Sequence, residues 1–328
     1  MFNGKFANQH KGLIYYGVDF TRMASKGTYT NQQTNDNSFY LYGIYTSKNK
    51  HLKIQADLVF NAFKVGENGG VKADIFDSAY FQKSLASVNL VNAEGKYNQT
   101  DFYLTTTYAI GKKITKTVND STTQQEVVPA FSFSHRFNVE GNKNKFRDYK
   151  PDSSYYNKFY SKDSVFNDLN YVKVGNAIQL LYHARTVRSD TDIVERNFIA
   201  TAEAGFDYYL LKQNLLKSHL SNLYVTGTFR NNYASNSHIL YNATVTYYPY
   251  GWNQNDLQVQ ARAGYDFGKW GIITGNAHYR LSEQPYIYEQ YTSHPAGWSY
   301  SLSKSNVFSA GGKYQNTKWG IVAEANYN

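Results

Sequence analysis

Residues 52–62 read LKIQADLVFNA, and they alternate between apolar and polar side chains almost without a break. The even positions place Leu, Ile, Ala, Leu, Phe and Ala on one side, and the odd positions place Lys, Gln, Asp, Val and Asn on the other. A period of two residues is that of a β-strand, in which successive side chains point to opposite faces. The stretch therefore predicts a strand with one apolar face and one polar face.

The same alternation recurs along the whole chain, for example at residues 198–208, 256–267 and 319–327. About thirteen segments fit the pattern, and each is close to the roughly 9 to 11 residues that a tilted strand needs to cross a bilayer. Their centres lie near Val18, Leu41, Leu58, Thr106, Phe133, Ile178, Ala204, Thr226, Val245, Ala261, Asn276, Gly311 and Ala323. Helical periodicity is weak, and a short helix is predicted only within residues 209–220.

The composition favours strands that cross a membrane over a soluble domain. The 328 residues include 32 Tyr and 20 Phe, and the mean hydropathy is -0.59. No run approaches the roughly 18 apolar residues of a membrane-spanning helix. Barrel strands alternate apolar and polar residues, so a chain built from them is hydrophilic on average.

The charged residues and the missing Cys narrow the classes of function. The absence of Cys excludes thiol catalysis and cysteine metal sites. The net charge is +9 with a pI near 9.2, but the basic residues are scattered through polar connections such as SKNK at residues 47–50. We therefore expect no nucleic-acid partner. Recognised catalytic motifs are missing too, so we expect no enzyme, no cofactor and no metal site.

The lengths of the polar connections alternate between long and short. Long stretches fall at residues 27–37, 66–98, 138–170 and 282–303, intermediate ones at 112–125 and 188–195, and short ones at 47–50, 234–237, 251–255, 268–269 and 316–318. Outer-membrane barrels alternate short periplasmic turns with longer outer loops in this way. The fold prediction is an all-β, antiparallel transmembrane β-barrel of outer-membrane type, a fragment with about 13 to 14 strands.

The predicted barrel is a single domain over residues 1–328 in the cell outer membrane of a Gram-negative bacterium. Its first predicted strand would start in the periplasm, because the first long connection follows that strand. No apolar leader follows Met1, and closed single-chain bacterial barrels have even strand numbers. We therefore expect a signal peptide and terminal strands that are not present in this stretch of sequence.

Several turn-rich stretches carry a resemblance to a known family. The order of NQQTNDNSF at residues 31–39, YTSKNK at 45–50 and ENGGV at 67–71 resembles that in the putative β-barrel porins of Bacteroidetes. DSVFNDLN at residues 163–170, before a strand that ends LYH at 181–183, is similar to that family as well. The resemblance covers nearly all of the chain and implies an outer-membrane barrel and transport, without naming a solute. Members of the family are typically longer, with a signal peptide and further strands.

Charged residues at the polar positions of the alternating strands are the candidate pore-lining residues. They are Asp19, Lys53, Asp57, Lys173, Arg185, Glu203, Asp207, Arg230, Asp256, Arg262, Asp266, Arg280, Lys313 and Glu324. Two interpretations stay open for each of them. It either lines a wetted channel whose acidic and basic rows create a transverse field, or pairs across neighbouring strands and only stabilises the wall.

The predicted function is an outer-membrane porin-like channel for the passive diffusion of small polar solutes. Its expected partners are outer-membrane lipid, those solutes, and a second copy of the chain or a lipoprotein. One alternative is a structural or interaction barrel associated with an outer-membrane partner or export complex, with long loops that obstruct the lumen. Another is a soluble Tyr-rich β-sheet adhesin or glycan-binding protein, in which loop aromatic residues such as Tyr291 and Trp298 stack on sugars and the apolar faces pack between two sheets.

Overall fold

The structure is a computed structural model that describes residues 1–72, 86–119, 122–156, 164–188, 193–214, 216–231, 238–293 and 297–327. Only the backbone is described for residues 114–119, 122–126, 185–188 and 193–197. Asp163, at the start of the DSVFNDLN stretch, lies outside the described residues.

Fourteen antiparallel strands form one sheet in which each strand pairs with the strands before and after it in the chain. The strands are β1 (Phe2–His10), β2 (Ile14–Ser25), β3 (Thr34–Thr46), β4 (Leu52–Glu67), β5 (Ala93–Asn119), β6 (Thr122–Asp148), β7 (Val165–Arg188), β8 (Ile193–Gln213), β9 (Leu216–Asn231), β10 (Ile239–Gly251), β11 (Leu257–Asp266), β12 (Ile272–Ser282), β15 (Ser305–Asn316) and β16 (Ile321–Tyr327). β1 and β16 are the two edges of the sheet. The prediction of an all-β antiparallel fold with about 13 to 14 strands is confirmed.

All thirteen predicted strand centres lie within strands of this sheet. The strand that the sequence pattern missed is β1, which pairs with β2 through Phe6 opposite Val18. Its sequence, FNGKFANQH, places only Phe2 and Phe6 as large apolar residues on one parity. Two apolar residues are too few for the alternation to be distinguished from a polar connection.

Several predicted connections are instead the ends of long strands. β5 and β6 each have 27 residues, so residues 112–119 and 122–125 are strand, as are residues 138–148 and 165–170. The ladder between β4 and β5 ends where Leu52, the first residue of β4, pairs with Tyr108. Beyond Tyr108, β5 continues to Asn119 and pairs with β6 alone. Strands that continue past the apolar region have polar side chains on both faces, and they lose the alternation that identifies a strand.

The short helix predicted within residues 209–220 is wrong. β8 runs to Gln213, β9 begins at Leu216, and Lys212 lies opposite Lys217 in the ladder between them. Asn214 adopts a φ of 50°, a left-handed conformation that Asn tolerates better than most residues. The Leu and Lys residues of this segment favour helices, but pairing between the two strands outweighs that local preference.

The two faces of the sheet differ in chemistry and exposure. On the face defined by Ile178, Val225 and Val245, here called the apolar face, these side chains are 67%, 43% and 43% exposed. On the opposite, polar face, Asp101 and Asn222 are only 4% and 3% exposed. In the part of the chain that the structure describes, no second sheet packs on the apolar face. This distribution is the reverse of that in a soluble protein.

The connections divide between two ends of the sheet. At one end of the sheet, here called the long-loop end, β2, β4, β6, β8, β10 and β12 end, and the intervals in sequence to the next strand of the sheet are 26–33, 68–92, 149–164, 214–215, 252–256 and 283–304. At the other, here called the short-turn end, β1, β3, β5, β7, β9, β11 and β15 end, and the intervals are 11–13, 47–51, 120–121, 189–192, 232–238, 267–271 and 317–320. The predicted alternation of long and short connections is therefore confirmed, with residues 214–215 and 252–256 as brief exceptions. Residues 283–304 contain a short helix, α1 (Tyr286–Glu289), and a hairpin of β13 (Gln290–Thr292) and β14 (Gly297–Ser299).

Candidate functional site: the polar face of the sheet

Strand parity and ladder register determine where each predicted residue lies, because partners in an antiparallel ladder project to the same face. Thirteen of the fourteen lie on the polar face or at its ends: Asp19, Lys53, Asp57, Lys173, Glu203, Asp207, Arg230, Asp256, Arg262, Asp266, Arg280, Lys313 and Glu324. Arg185 lies in β7, and its side chain is outside the part that the structure describes.

Across β5 to β8, the charged residues form an ion-pair network. Glu140 of β6 lies opposite Lys173 of β7 in the ladder, and Lys173 Nζ is 3.7 Å from Glu140 Oε1 and 3.4 Å from Asp207 Oδ2. The same Nζ lies 5.8 Å from the centre of the Tyr209 ring. Lys173 and Asp207 therefore pair across neighbouring strands.

A second ion pair lies one step farther along the same strands. Arg136 Nη2 is 2.5 Å from Glu203 Oε1, and Gln179 Nε2 donates a hydrogen bond to Glu203 Oε2 at 2.9 Å. The Glu203 side chain is only 8% exposed. Its two carboxylate oxygens are thus both satisfied by neighbours, which is what a buried charge requires.

Sequence reasoning missed Asp101, Arg136 and Glu140, which belong to the same polar surface. Glu140 fell in a stretch that was predicted to be a connection. The signal that could have found two of them is FSFSHRFNVEGN at residues 131–142, in which the even positions are mostly polar and include Arg136 and Glu140. Asp101 Oδ2 accepts a hydrogen bond from Gln99, and Asp101 lies opposite Glu140 in the ladder.

The acidic residues of β2 and β4 are also held by neighbours. Asp19 Oδ2 lies 2.9 Å from Lys5 Nζ. Asp57 accepts hydrogen bonds from the Tyr40 hydroxyl at 2.7 Å and from Gln55 Nε2 at 3.0 Å. Both carboxylates therefore reinforce the pairing of adjacent strands.

The basic residues of β9, β11 and β12 differ from these paired residues, because they are exposed and have no ion pair with the described residues. Arg230, Arg262 and Arg280 are exposed on the polar face, and Asn242 lies opposite both Arg230 and Arg262 in the ladder. Among the described residues, none of these three guanidinium groups has a side-chain hydrogen bond or an ion pair. They therefore present uncompensated positive charge to the space in front of the sheet.

Asp256 and Asp266 hold connections at the two ends. Asp256 is 1% exposed, and it accepts hydrogen bonds from Lys304 Nζ at 2.5 Å and from the backbone N–H of Glu283 at 2.9 Å. Asp266 Oδ1 accepts a 2.7 Å hydrogen bond from the backbone N–H of Gly268 in the next turn. Both carboxylates are used to fix backbone at the ends of β11.

Residues 283–304 are here called the cross-sheet segment, and its described part lies over the polar face at the long-loop end. Asn167 Nδ2 of β7 donates to the Tyr291 hydroxyl at 2.7 Å, and Gln213 of β8 bonds the backbone of Gln290 and Thr292. The segment thus reaches from β12 across the sheet to β7. The Tyr286 ring closes a cavity of about 190 Å³ together with polar-face residues of β7 to β9.

The predicted loop aromatic pair is part of this segment. The Tyr291 and Trp298 rings stack with centroids 4.4 Å apart, and Trp298 Nε1 donates to the carbonyls of Ile287 and Tyr288. The rings therefore bind each other and the backbone of their own segment. Burial of one ring face against the other leaves less stacking surface for a sugar.

Aromatic and basic residues mark the borders of the apolar face. At the short-turn end, the rings of Trp270 and Trp319 pack edge to face with centroids 5.8 Å apart, and both are exposed. At the long-loop end, Lys143, Lys212 and Lys217 lie on the same side as the apolar face and are exposed. Aromatic belts and flanking lysines are typical borders of a membrane-facing surface.

Beyond this border, a cluster of charged side chains lowers the pKa of one carboxyl group. Glu94, near the start of β5, lies 2.6 Å from Lys64 Nζ and 2.5 Å from Lys96 Nζ. Hydrogen bonds from Lys64 and then from Lys96 lower the pKa of Glu94 to about 2. The carboxylate is therefore ionised over the whole physiological range of pH.

The described residues hold neither a metal-binding cluster nor a membrane-spanning helix. No group of three or more His, Asp or Glu side chains there could hold a metal ion. No helix in the described part of the chain has the length and apolar character needed to cross a membrane.

Comparison with known proteins gives one result for the whole chain. No curated protein matches the sequence. A protein family described as putative porin matches residues 1–328. This match covers every strand of the sheet, and it favours a channel over an enzyme. An open, all-β antiparallel sheet with an exposed apolar face and a charged polar face agrees with it, and the chain belongs to this putative porin family.

Proposed function

We propose that the protein is an outer-membrane channel through which small polar solutes diffuse passively. The observation that carries this proposal is the reversed burial of the two faces. Large apolar side chains such as Ile178 are exposed, whereas acidic groups such as Asp101 are covered. Lipid tails would make the exposed apolar face favourable, because each CH₂ that they remove from water contributes about 0.8 kcal/mol.

The height of the apolar face supports a membrane setting. In β8 the apolar parity runs from Phe198 to Tyr208, and both ends carry aromatic rings. Ten residue steps at roughly 3.3 Å, tilted by about 40°, span about 25 Å. That span matches the roughly 25 Å apolar band of transmembrane barrels.

The polar face supports transport of polar solutes. It carries hydroxyl pairs such as Thr226 with Thr246, whose oxygen atoms are 3.0 Å apart, beside acidic and basic side chains. A surface of this kind stays wetted and disfavours apolar solutes. Family membership supports the same general role.

Conductance across a planar bilayer tests the proposal. The full-length protein, purified in detergent and reconstituted, is expected to give discrete conductance steps in potassium chloride. Steps that persist in several salts support an open pore. A bilayer that stays silent with folded, inserted protein contradicts the channel proposal.

A second candidate is a structural or interaction barrel whose lumen is obstructed. The cross-sheet segment favours it, because hydrogen bonds from Asn167 and Gln213 hold that segment over the polar face. This candidate predicts a silent bilayer together with a partner, such as a lipoprotein or an export component, that copurifies in stoichiometric amount in mild detergent. Conductance steps without any such partner would exclude it.

The soluble adhesin alternative receives no support from the fold. It requires the apolar side chains to pack between two sheets. Phe229 and Val245 are instead 44% and 43% exposed on the single large sheet. Precipitation of the detergent-free protein is therefore the expected result of detergent removal.

A further inference from the structure

The polar face is not electrically uniform. From β5 to β8, Glu203 pairs with Arg136 and Asp207 with Lys173, and both carboxylates are largely buried. From β9 to β12, Arg230, Arg262 and Arg280 are exposed. Together with Lys304 they are four cations beside three carboxylates, those of Asp256, Asp266 and Glu283. Pairing and burial weaken the field of the first group, whereas the second group keeps an excess of positive charge on exposed side chains.

The three arginines occupy two levels of this part of the sheet. Arg230 and Arg262 are both ladder partners of Asn242, so they lie side by side at one level, two strands and about 10 Å apart. Arg262 is the ladder partner of Asn276, and Arg280 is four residues farther along β12, which is about 14 Å from Arg262 and nearer the long-loop end. An ion that moves along the strands thus meets Arg280 at one level and Arg262 with Arg230 at the other.

The immediate surroundings of the central arginine are uncharged. Arg262 is flanked in β11 by Gln260 and Gly264, and its partners in β10 and β12 are Asn242 and Asn276. Asp256 pairs with Lys304, and Asp266 lies four residues from Arg262 along β11, which is about 14 Å. None of these residues next to Arg262 on the sheet therefore cancels its positive charge.

We infer that the wall formed by β9 to β12 selects anionic solutes, and that Arg230, Arg262 and Arg280 are the residues that confer this selectivity. The inference rests on the proposed channel function. Guanidinium groups match the planar geometry of carboxylates and the oxygens of phosphate, and they are weakly hydrated. Exposed, spaced groups bind an anion weakly enough to release it, which conduction requires.

Ion selectivity in a planar bilayer tests the inference. With a gradient of potassium chloride, the reversal potential gives the chloride-to-potassium permeability ratio, which is expected to exceed one. Without salt, one charge at about 7 Å in water would raise the local chloride concentration and lower that of potassium by about threefold each. Screening at about 0.1 M salt, where the Debye length is about 10 Å, roughly halves that interaction. R230Q, R262Q and R280Q are therefore each expected to lower the ratio by about twofold to threefold. The triple variant is expected to remove the preference for chloride.

A matched control separates this effect from a change in net charge. Lys143→Gln removes the same charge from an exposed site on the side of the apolar face, and it is expected to leave the ratio unchanged. Inorganic phosphate provides a second readout. Millimolar phosphate is expected to reduce the chloride current of the wild type, and to reduce that of the triple variant less.

The outcomes distinguish the inference from the function on which it rests. Conductance steps with a ratio at or below one, or a ratio that the triple variant leaves unchanged, overturn the inference and leave the channel intact. A silent bilayer overturns the channel proposal and the inference with it. Because the three side chains are exposed and have no hydrogen bond or ion pair within the described residues, the variants are expected to keep the step size that reports a folded pore.

Discussion

At the scale of single residues, glycines on the polar face make room for tyrosine rings from the next strand. Gly17 lies opposite Tyr42 in the ladder, and Gly205 lies opposite Tyr224. A Cβ atom at Gly17 would approach the Tyr42 hydroxyl oxygen to 2.6 Å, and one at Gly205 would overlap the Tyr224 ring. The missing side chain lets each ring lie flat against the neighbouring backbone.

Gly205→Ala is therefore expected to destabilise the protein by about 1–3 kcal/mol, because the Tyr224 ring must leave its place. Denaturant unfolding in detergent micelles measures the change. Gly227→Ala is the matched control, because a Cβ atom there meets nothing within 4 Å. In a Tyr224→Ala background, Gly205→Ala should cost much less, and a double-mutant cycle measures that difference. Equal stability of the two alanine variants would contradict this account of Gly205.

The depressed pKa of Glu94 leads to a prediction about pH. Its folded-state pKa is about 2, below the roughly 4.3 of an unfolded chain. The ion pairs with Lys64 and Lys96 thus add stability above about pH 4.3, and that stability is lost as the pH falls through 2. Since Lys64 and Lys96 are 51% and 42% exposed, the contribution is expected to be no more than about 1 kcal/mol.

Glu94→Gln should accordingly lower the free energy of unfolding at pH 7 and have almost no effect near pH 2. Unfolding curves of wild type and variant across this range measure the difference. Glu289→Gln serves as the control, because the Glu289 carboxylate makes no ion pair in the described structure. A loss that is independent of pH would show that Glu94 acts through packing instead.

At the scale of the strand, alternation decides which side chain meets lipid and which meets water. Val245 and Thr244 are adjacent in β10, but Val245 is exposed on the apolar face and Thr244 bonds Thr228 on the polar face. Arg on the lipid face of a barrel near the bilayer centre costs about 2–4 kcal/mol. The two neighbouring positions should therefore respond very differently to the same substitution.

Val245→Arg is expected to lower the free energy of unfolding in lipid by about 2–4 kcal/mol, whereas Thr244→Arg is expected to lower it by less than about 1 kcal/mol. Equilibrium unfolding in lipid bilayers measures both changes. The comparison is internal, because both variants add the same side chain to the same strand. Similar losses at the two positions would argue against a lipid-facing apolar face.

A strand could be predicted from the sequence wherever the side chains on one of its faces had to be apolar. That requirement produced the alternation around Leu58, Ala204 and Ala261, and all three are strand residues. It did not apply to the outer parts of β5 and β6, where Lys96 and Lys145 are opposite each other and polar side chains occupy both faces. There the strands are held by ladder hydrogen bonds, which any residue except Pro provides, so sequence patterns cannot report them.

At the scale of the whole molecule, the face of each site residue was predictable, but its partners were not. Parity is a local property, so the polar-face position of Lys173 and Glu203 followed from their own strands. Their pairing depends on register with β6, which brings Glu140 and Arg136 beside them. Register is determined by long-range ladders and is not visible in any single segment.

The docking of the cross-sheet segment also depends on long-range contacts, and the segment can be replaced to test its effect on conductance. Its long length was predicted, but its docking on β7 and β8 depends on contacts between residues far apart in sequence, such as Asn167 with Tyr291. Ser282 and Ser305, which border the segment, are ladder partners. A tight turn of about four residues could therefore join β12 to β15 directly without disturbing their pairing.

Replacement of residues 283–304 by such a turn is expected to increase single-channel conductance, because the segment that lies over the polar face between β12 and β7 is removed from the long-loop end. Lys304, which holds Asp256, is lost with the segment, so Asp256→Asn should be included to avoid an unpaired buried charge. The matched control is Asp256→Asn with Lys304→Gln in the intact segment. An unchanged conductance step in the shortened protein would place the narrowest part of the pore elsewhere along the polar face. If the intact protein is silent and the shortened protein conducts, the segment is the obstruction that the structural-barrel alternative requires.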